Sequence, residues 1–199
     1  MRKLLVAIVL AVFVLLTACA PKPKVITASF PPSEVVEEVK EEVAPPEADY
    51  QAALEAARAA ADACLKPGVR VCQPVNLLTG SVGDSLIFPF GITNQFPQAK
   101  DFAITLAFVR VQQPFGAPAI EVDKETMAGW LAKNQLPSYR SLASQDKWLQ
   151  PVIIEIGPEI APGTATVPAT YVFEIRANIY EDGFLELYGE PKQISVKVG

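Results

Sequence analysis

The chain has 199 residues, of which 50% are apolar and 20% charged, a composition that suits one globular domain with appendages. Its 22 acidic residues outnumber its 17 basic ones, giving a formal charge of −5, so we expect no nucleic-acid partner. Histidine is absent, which excludes Ser-His-Asp and Cys-His catalysis and histidine-ligated metals or haem. We assign no catalytic residue, cofactor or metal.

The N-terminal segment is organised like a signal peptide. Arg2 and Lys3 precede an apolar run over residues 4–16, which is short for a membrane-spanning helix of about twenty residues. The run ends in Leu16-Thr17-Ala18-Cys19, which resembles the lipobox of prokaryotic lipoproteins. The resemblance implies removal of a signal peptide over residues 1–18 and attachment of diacylglycerol to the thiol of Cys19.

Two other routes for this segment stay open. An ordinary secretory site at Ala18-Cys19-Ala20 would leave Pro21 first, and proline fits poorly after a scissile bond. The segment could also remain uncleaved as a single-helix anchor. Both the lipoprotein and the anchor place the protein outside the cytoplasm, attached to the cell membrane or envelope.

Residues 19–47 have the composition of an acidic, proline-rich linker. They contain six prolines and six glutamates, and they have too few apolar residues to bury a core of their own. Like charges and prolines keep such a segment extended. We therefore expect a disordered spacer between the membrane and the rest of the chain.

Residues 48–66 are predicted to form an alanine-rich helix. Alanine is the strongest helix former, Asp49 is a suitable N-cap, and Pro67-Gly68 would end the helix. One narrow stripe of residues recurs at helical spacing: Tyr50, Leu54, Ala57, Ala61 and Leu65. We expect this stripe to dock on the protein's own sheet, with pairing to another subunit as the alternative.

Cys64 and Cys72 are predicted to form a disulfide. If Cys19 carries lipid, these two cysteines are left as an even pair in an oxidising compartment. The bond would join the end of the helix to the first strand and fix the angle between them.

Residues 67–199 alternate apolar and polar side chains, which predicts a mainly β domain. About seven strands separated by turn-length breaks favour an antiparallel β-sandwich, with a closed barrel left open as the rival. Pro89 is expected to mark a sheet edge or a bulge, and Asp182-Gly183 a tight turn. Residues 112–147 are interpreted as an insertion between strands, with a short helix over Asp123–Lys133.

The second half resembles the Ig-like modules of prokaryotic cell-surface proteins. The resemblance rests on Trp148-Leu149, on the Pro162-Gly163 turn before the apolar strand at 169–175, and on the final strand at 192–198. The chain departs from some Ig-like modules because it has no cysteine pair bridging two sheets. The resemblance implies a spacer, adhesion or accessory role.

Two groups of side chains are candidate sites. The carboxylates of Glu121, Asp123 and Glu125, and the pair Glu181-Asp182, could hydrolyse glycosides only if two of them faced each other across a cleft, so we expect solvated loop acids. The other candidate is a ligand-contacting aromatic platform made of Trp130, Tyr139 and Trp148. Burial is the stronger expectation, because Trp130 lies on the apolar face of the predicted helix and Trp148 opens a strand.

These patterns together predict a non-catalytic, membrane-tethered lipoprotein that acts as a structural or protein-interaction module at the cell surface. We expect a protein partner at the cell envelope in addition to the membrane. An accessory ligand- or glycan-binding lipoprotein is the alternative, and a hydrolase that uses carboxylates comes third.

Overall fold

The computed structural model describes residues 47–113 and 115–199. The predicted signal peptide, the lipobox with Cys19 and nearly all of the predicted linker lie outside the described residues. Within those ranges the chain is mainly β, which confirms the sequence prediction at that level. None of the helices described there is both long enough and apolar enough to cross a membrane.

Two α-helices, one 3₁₀ helix and eleven strands make up the described chain. The helices are α1 (Glu47–Cys64), α2 (Lys124–Gly129) and a 3₁₀ helix (Ala132–Asn134). The strands are β1 (Val71–Cys72), β2 (Leu77–Gly80), β3 (Ser85–Phe88), β4 (Gly91–Thr93), β5 (Lys100–Gln112), β6 (Ser138–Leu142), β7 (Lys147–Leu149), β8 (Val152–Glu155), β9 (Ala169–Glu181), β10 (Phe184–Leu187) and β11 (Lys192–Val198).

The larger sheet has the strand order β2-β11-β9-β5-β6, and β10 also pairs with β9. Its neighbours are antiparallel except β2 and β11, which run parallel with Ser195 opposite Leu77. The expectation of a purely antiparallel sheet is therefore wrong at this pair. Alternating polarity reports which face of a strand is buried but carries no information about strand direction, and no hairpin joins two strands so far apart in sequence.

The smaller layer consists of β1-β4-β7 and of β3 paired with β8. The β3–β8 and β4–β7 ladders share one register, which places Pro89 opposite Pro151 where the ladder is interrupted. Proline fixes its own φ and has no N–H, so facing prolines break the regular pairing. Pro89, which was expected to mark a sheet edge or a bulge, marks an interruption of the ladder, and the shared register leaves no bulge there.

Buried side chains from both layers form one hydrophobic core. The apolar side chains at alternate positions of β9 are buried from Tyr171 to Ile179: Tyr171, Phe173, Ile175, Ala177 and Ile179. The Tyr171 hydroxyl donates to the Val167 carbonyl at 3.0 Å, four residues upstream. A tyrosine near the start of a strand that bonds back in this way is a feature of Ig-type sandwiches, where it fixes the corner between strands.

Helix α1 packs against β3, β4 and β7, as predicted for the helix stripe. Ala57, Ala61 and Leu65 are buried in this contact. A Cβ atom at Gly91 would lie 2.9 Å from Leu65 Cδ1, so glycine is what lets the helix approach the sheet. At the end of the helix Cys64 is bonded to Cys72, with their Cα atoms 6.0 Å apart, which confirms the predicted disulfide.

The region predicted as an insertion, residues 112–147, contains a strand of the larger sheet. β6 lies inside it and pairs with β5, with Lys100 opposite Leu142. The predicted helix is present as α2, followed by the 3₁₀ helix. Strand β6 was not predicted because its sequence does not alternate apolar and polar residues. Its central residues Tyr139, Arg140 and Ser141 are all exposed at the margin of the sheet.

Candidate interaction surface

The structure separates the three predicted aromatic ligand contacts. Trp130 and Trp148 are only 3% and 4% exposed, as the stronger expectation of burial required, and this corrects their candidacy as ligand contacts. Trp130 packs its ring 4.9 Å from that of Tyr171, because burial of so large an apolar side chain stabilises the core. Tyr139 is 58% exposed and remains available on β6.

Two of the five predicted carboxylates, Asp123 and Glu181, make local structural contacts, and Glu121, Glu125 and Asp182 are exposed. Asp123 Oδ2 accepts hydrogen bonds from the Thr126 hydroxyl at 2.6 Å and backbone N–H at 2.7 Å, capping α2. These bonds stabilise the charged form and lower the pKa of Asp123. Glu181 pairs with Lys100 at 2.6 Å. Across the described residues no three histidine, cysteine or acidic side chains are grouped to hold a metal ion.

Among the described residues, the exposed large apolar side chains are concentrated in the hairpin of β9 and β10. Asp182 and Gly183 both have positive φ, at 51° and 85°, as a two-residue type I′ turn requires. All four residues of β10 are exposed. Phe184 is 73% exposed, Leu185 46% and Leu187 51%, although these side chains are typical of a protein interior.

Pairing within the hairpin places two of these side chains beside a tyrosine pair. Leu185 lies opposite Tyr180, and Leu187 occupies the same face two residues later. The Tyr180 ring meets the Tyr139 ring edge to face, with centroids 6.1 Å apart. We call Tyr139, Tyr180, Leu185 and Leu187, together with Phe184 on the reverse face of β10, the hairpin surface.

The outer edge of β10 carries unpaired backbone groups. The Tyr188 N–H donates to the Ala177 carbonyl at 2.8 Å, so residues at even positions of this strand face β9. Hydrogen bonding alternates along an antiparallel strand, and the N–H and C=O groups of Leu185 and Leu187 therefore point away from β9. In the described parts of the chain β10 pairs with β9 and with no second strand.

The hairpin is also acidic. Between Arg176 and Lys192 the sequence holds four acidic residues and no lysine or arginine. Lys100 neutralises Glu181, whereas neither Asp182 nor Glu186 has a cationic side chain within 4.0 Å in the described ranges. The open edge therefore combines apolar side chains, unpaired backbone groups and uncompensated negative charge.

A buried tyrosine fixes the base of the hairpin. The Tyr188 hydroxyl donates to the Thr93 carbonyl at 2.6 Å and accepts from the Gln95 N–H at 3.0 Å. Its ring packs 4.9 Å from that of Phe102 in the core. These contacts hold the residue that follows β10 in place, so the exposed strand is presented from a rigid base.

A shallow cleft of about 330 Å³ adjoins the tyrosine pair. Aromatic and polar groups line it together: Asp101, Tyr139, Arg140, Ser141 and Tyr180. Exposed aromatic faces beside carboxylate, guanidinium and hydroxyl groups are suited to polar ligands with apolar patches.

Sequence reasoning placed a tight turn at Asp182-Gly183 but did not identify the strand that follows it as a surface site. The available signal was the sequence Phe184-Leu185-Glu186-Leu187, where three of four residues are apolar and neither face is polar throughout. A strand of a solvated hairpin normally has one polar face.

Comparisons with known proteins give a structural neighbour only. No protein-family model matches the chain, and no curated protein matches its sequence significantly. Among solved structures, the chain is similar to the ASH / PapD-like domain of human CEP192 (PapD-like domain 7), with 9% sequence identity and a TM-score of 0.41. The similarity covers 68% of this chain and 92% of that domain.

Proposed function

We propose that this protein is a non-catalytic lipoprotein, tethered outside the cytoplasm, whose Ig-like β-sandwich serves as a protein-interaction module at the cell envelope. The Tyr171 corner and the two layers around one core support the Ig-like assignment. The tether would be lipid on Cys19, and residues 19–47 would hold the domain away from the membrane.

The observation that carries the interaction role is the hairpin surface. Phe184, Leu185 and Leu187 expose large apolar side chains on both faces of one strand. Contiguous exposed apolar residues mark interaction sites, and an open strand edge offers unpaired backbone groups to another chain. A partner that buries β10 would remove both the apolar exposure and the unpaired edge.

The tether is supported by the sequence and by redox chemistry. Residues 16–19 match the lipobox pattern, and the Cys64–Cys72 disulfide suits an oxidising compartment rather than the cytoplasm. Two or more acyl chains give stable membrane attachment where one does not. The protein would then act near the membrane, at a height set by its linker.

Metabolic labelling with a fatty-acid analogue tests the tether. The wild-type chain should take up label, and Cys19→Ser should lose it and accumulate as precursor. Cys72→Ser keeps Cys19 and is the matched control, which should label normally. A Cys19→Ser variant that is cut to the mature size and stays in the membrane fraction would contradict the lipid anchor.

Site-specific photo-crosslinking in the native cells tests the interaction role. A photoreactive residue at Leu185 should yield one discrete crosslinked species, whereas the same residue at Ala52, on the exposed face of α1, should not. Equal crosslinking at both positions, or none at Leu185, would count against the hairpin surface as the interaction site.

Glycan binding is a second candidate, favoured by the cleft beside Tyr139 and Tyr180. Exposed tyrosine rings stack on the apolar faces of sugars, while Asp101 and Arg140 could hydrogen-bond their hydroxyl groups. Calorimetric titration with envelope oligosaccharides should detect binding that Tyr139→Ala abolishes. Leu187→Ala, outside the cleft, is the control and should bind like the wild type.

A further inference from the structure

We propose that the open edge of β10 binds an extended, positively charged and apolar segment of a partner protein, which adds to the sheet as a further strand. This inference rests on the proposed interaction role and specifies its chemistry. It follows from three independent properties of the strand: its free backbone groups, its side-chain pattern and its charge.

The backbone supplies the first property. The N–H and C=O groups of Leu185 and Leu187 point outward from the pairing with β9. An added strand could therefore form up to four main-chain hydrogen bonds across a stretch of about four residues. Strand addition of this kind draws its affinity from the main chain and its selectivity from alternate side chains.

The side chains supply the second property. On the outer face Leu185, Leu187 and Tyr180 offer an apolar surface to every second residue of the incoming strand. On the reverse face Phe184 and Glu186 would meet the intervening residues. An occupant with apolar residues at alternate positions and cations between them matches both faces.

Charge excludes the two other obvious occupants. A second copy pairing antiparallel through Leu185 and Leu187 would bring Glu186 directly opposite its own equivalent, and like charges opposite each other destabilise a sheet. An anionic membrane surface would be repelled by Asp182 and Glu186, which have no cationic partner within 4.0 Å in the described ranges. A cationic segment is attracted by the same groups.

The test uses the full mature chain and two synthetic peptides, Thr-Val-Lys-Val-Lys-Val-Thr and its counterpart with glutamate in place of lysine. We expect the lysine peptide to slow hydrogen exchange of the Leu185 and Leu187 amides at least fivefold, at millimolar peptide or below. The glutamate peptide should leave both amides unchanged. Exchange that is equal with and without the lysine peptide overturns the proposal.

Two variants sharpen the result. Glu186→Lys should reverse the preference, so that the glutamate peptide protects these amides and the lysine peptide does not. Leu185→Pro removes one outward N–H while sparing the bonds to β9, and it should weaken peptide binding with little change in the circular dichroism spectrum. An unchanged preference in Glu186→Lys overturns the proposal even if Leu185→Pro fails to fold.

The remaining outcomes separate this inference from the interaction role on which it rests. Crosslinking at Leu185 without peptide protection means that a partner binds the hairpin surface but not as an added strand, which overturns only the present proposal. Failure of both overturns both. Concentration-dependent dimers in sedimentation, or co-sedimentation with anionic vesicles, would replace the cationic segment by a second copy or by a membrane.

Discussion

The hydroxyl of Tyr188 lies 2.6 Å from the carbonyl oxygen of Thr93 and donates a hydrogen bond to it across the two layers of the domain. Tyr188 follows β10 in the larger sheet, and Thr93 ends β4 in the smaller layer. The same hydroxyl accepts from the Gln95 N–H. One buried side chain therefore links the base of the exposed hairpin to the opposite layer.

Tyr188→Phe should lower the free energy of unfolding by about 1–3 kcal/mol. The ring would keep its packing against Phe102, but the Thr93 carbonyl and the Gln95 N–H would lose their partner inside the protein. Urea unfolding monitored by fluorescence measures the change. Tyr139→Phe removes an exposed hydroxyl and should leave the midpoint unaltered; an equal shift in both variants would contradict the assigned role.

Removing the disulfide should also destabilise the domain, by about 2–3 kcal/mol. The chain-entropy model gives this value for a loop of about nine residues, because the bond restricts the unfolded chain. The double variant Cys64→Ala/Cys72→Ala should therefore unfold at lower denaturant concentration than wild type. Cys19→Ser, purified from detergent, serves as the control. Identical midpoints for the double variant and wild type would count against the bond.

Asn134 should be essential to the packing of the 3₁₀ helix on β8. Its side chain accepts from the Ile153 N–H at 2.7 Å, and donates to the Ile153 carbonyl at 2.5 Å and to the Leu131 carbonyl at 2.8 Å. The Asn134 side chain thus satisfies both backbone groups of Ile153 in β8, as a neighbouring strand would. Asn134→Ala should cost about 2–4 kcal/mol in denaturant unfolding, since it leaves buried backbone groups without partners. The exposed Asn76→Ala should change little.

The pKa of Asp123 should lie below its ordinary value of 3.8, because the carboxylate accepts two hydrogen bonds from Thr126. The folded state then binds the proton less tightly than the unfolded state. The stabilisation is present above about pH 4 and is lost as the pH falls through the folded pKa.

An NMR titration of the Asp123 carboxyl carbon measures this shift. Thr126→Val removes the hydroxyl donor and should raise the pKa toward 3.8, whereas the distant Thr105→Val should leave it where it is. An unshifted pKa in the wild type would show that the cap does not form in solution.

Strands with one buried face were accessible to sequence reasoning. The alternation of Phe173, Ile175 and Ala177 with Glu174 and Arg176 fixes which side of β9 meets the core, and the structure buries that side. Helix α1 was equally readable, because alanine-rich composition and a Pro67-Gly68 stop are local signals. The disulfide was predicted because Cys64 and Cys72 are the two cysteines that remain if Cys19 carries lipid.

Properties that depend on tertiary neighbours were not accessible. The parallel pairing of β2 with β11 depends on where distant segments meet, and no local pattern encodes it. The exposure of Leu185 and Leu187 depends on the absence of a covering layer over β10. Trp130 could have been a surface platform or a core residue, and only the contact with Tyr171 decides between them.

The disulfide has a mechanical consequence for the proposed attachment through the N-terminal side. Any tension entering the described structure at Glu47 passes along α1 and reaches Cys64, where the covalent bond transfers it directly to Cys72 in β1. The connecting residues 65–71 are thereby bypassed and carry no load. Tension applied at Glu47 could detach α1 from the sheet only as far as Cys64, where the disulfide would stop the detachment before it reached β1.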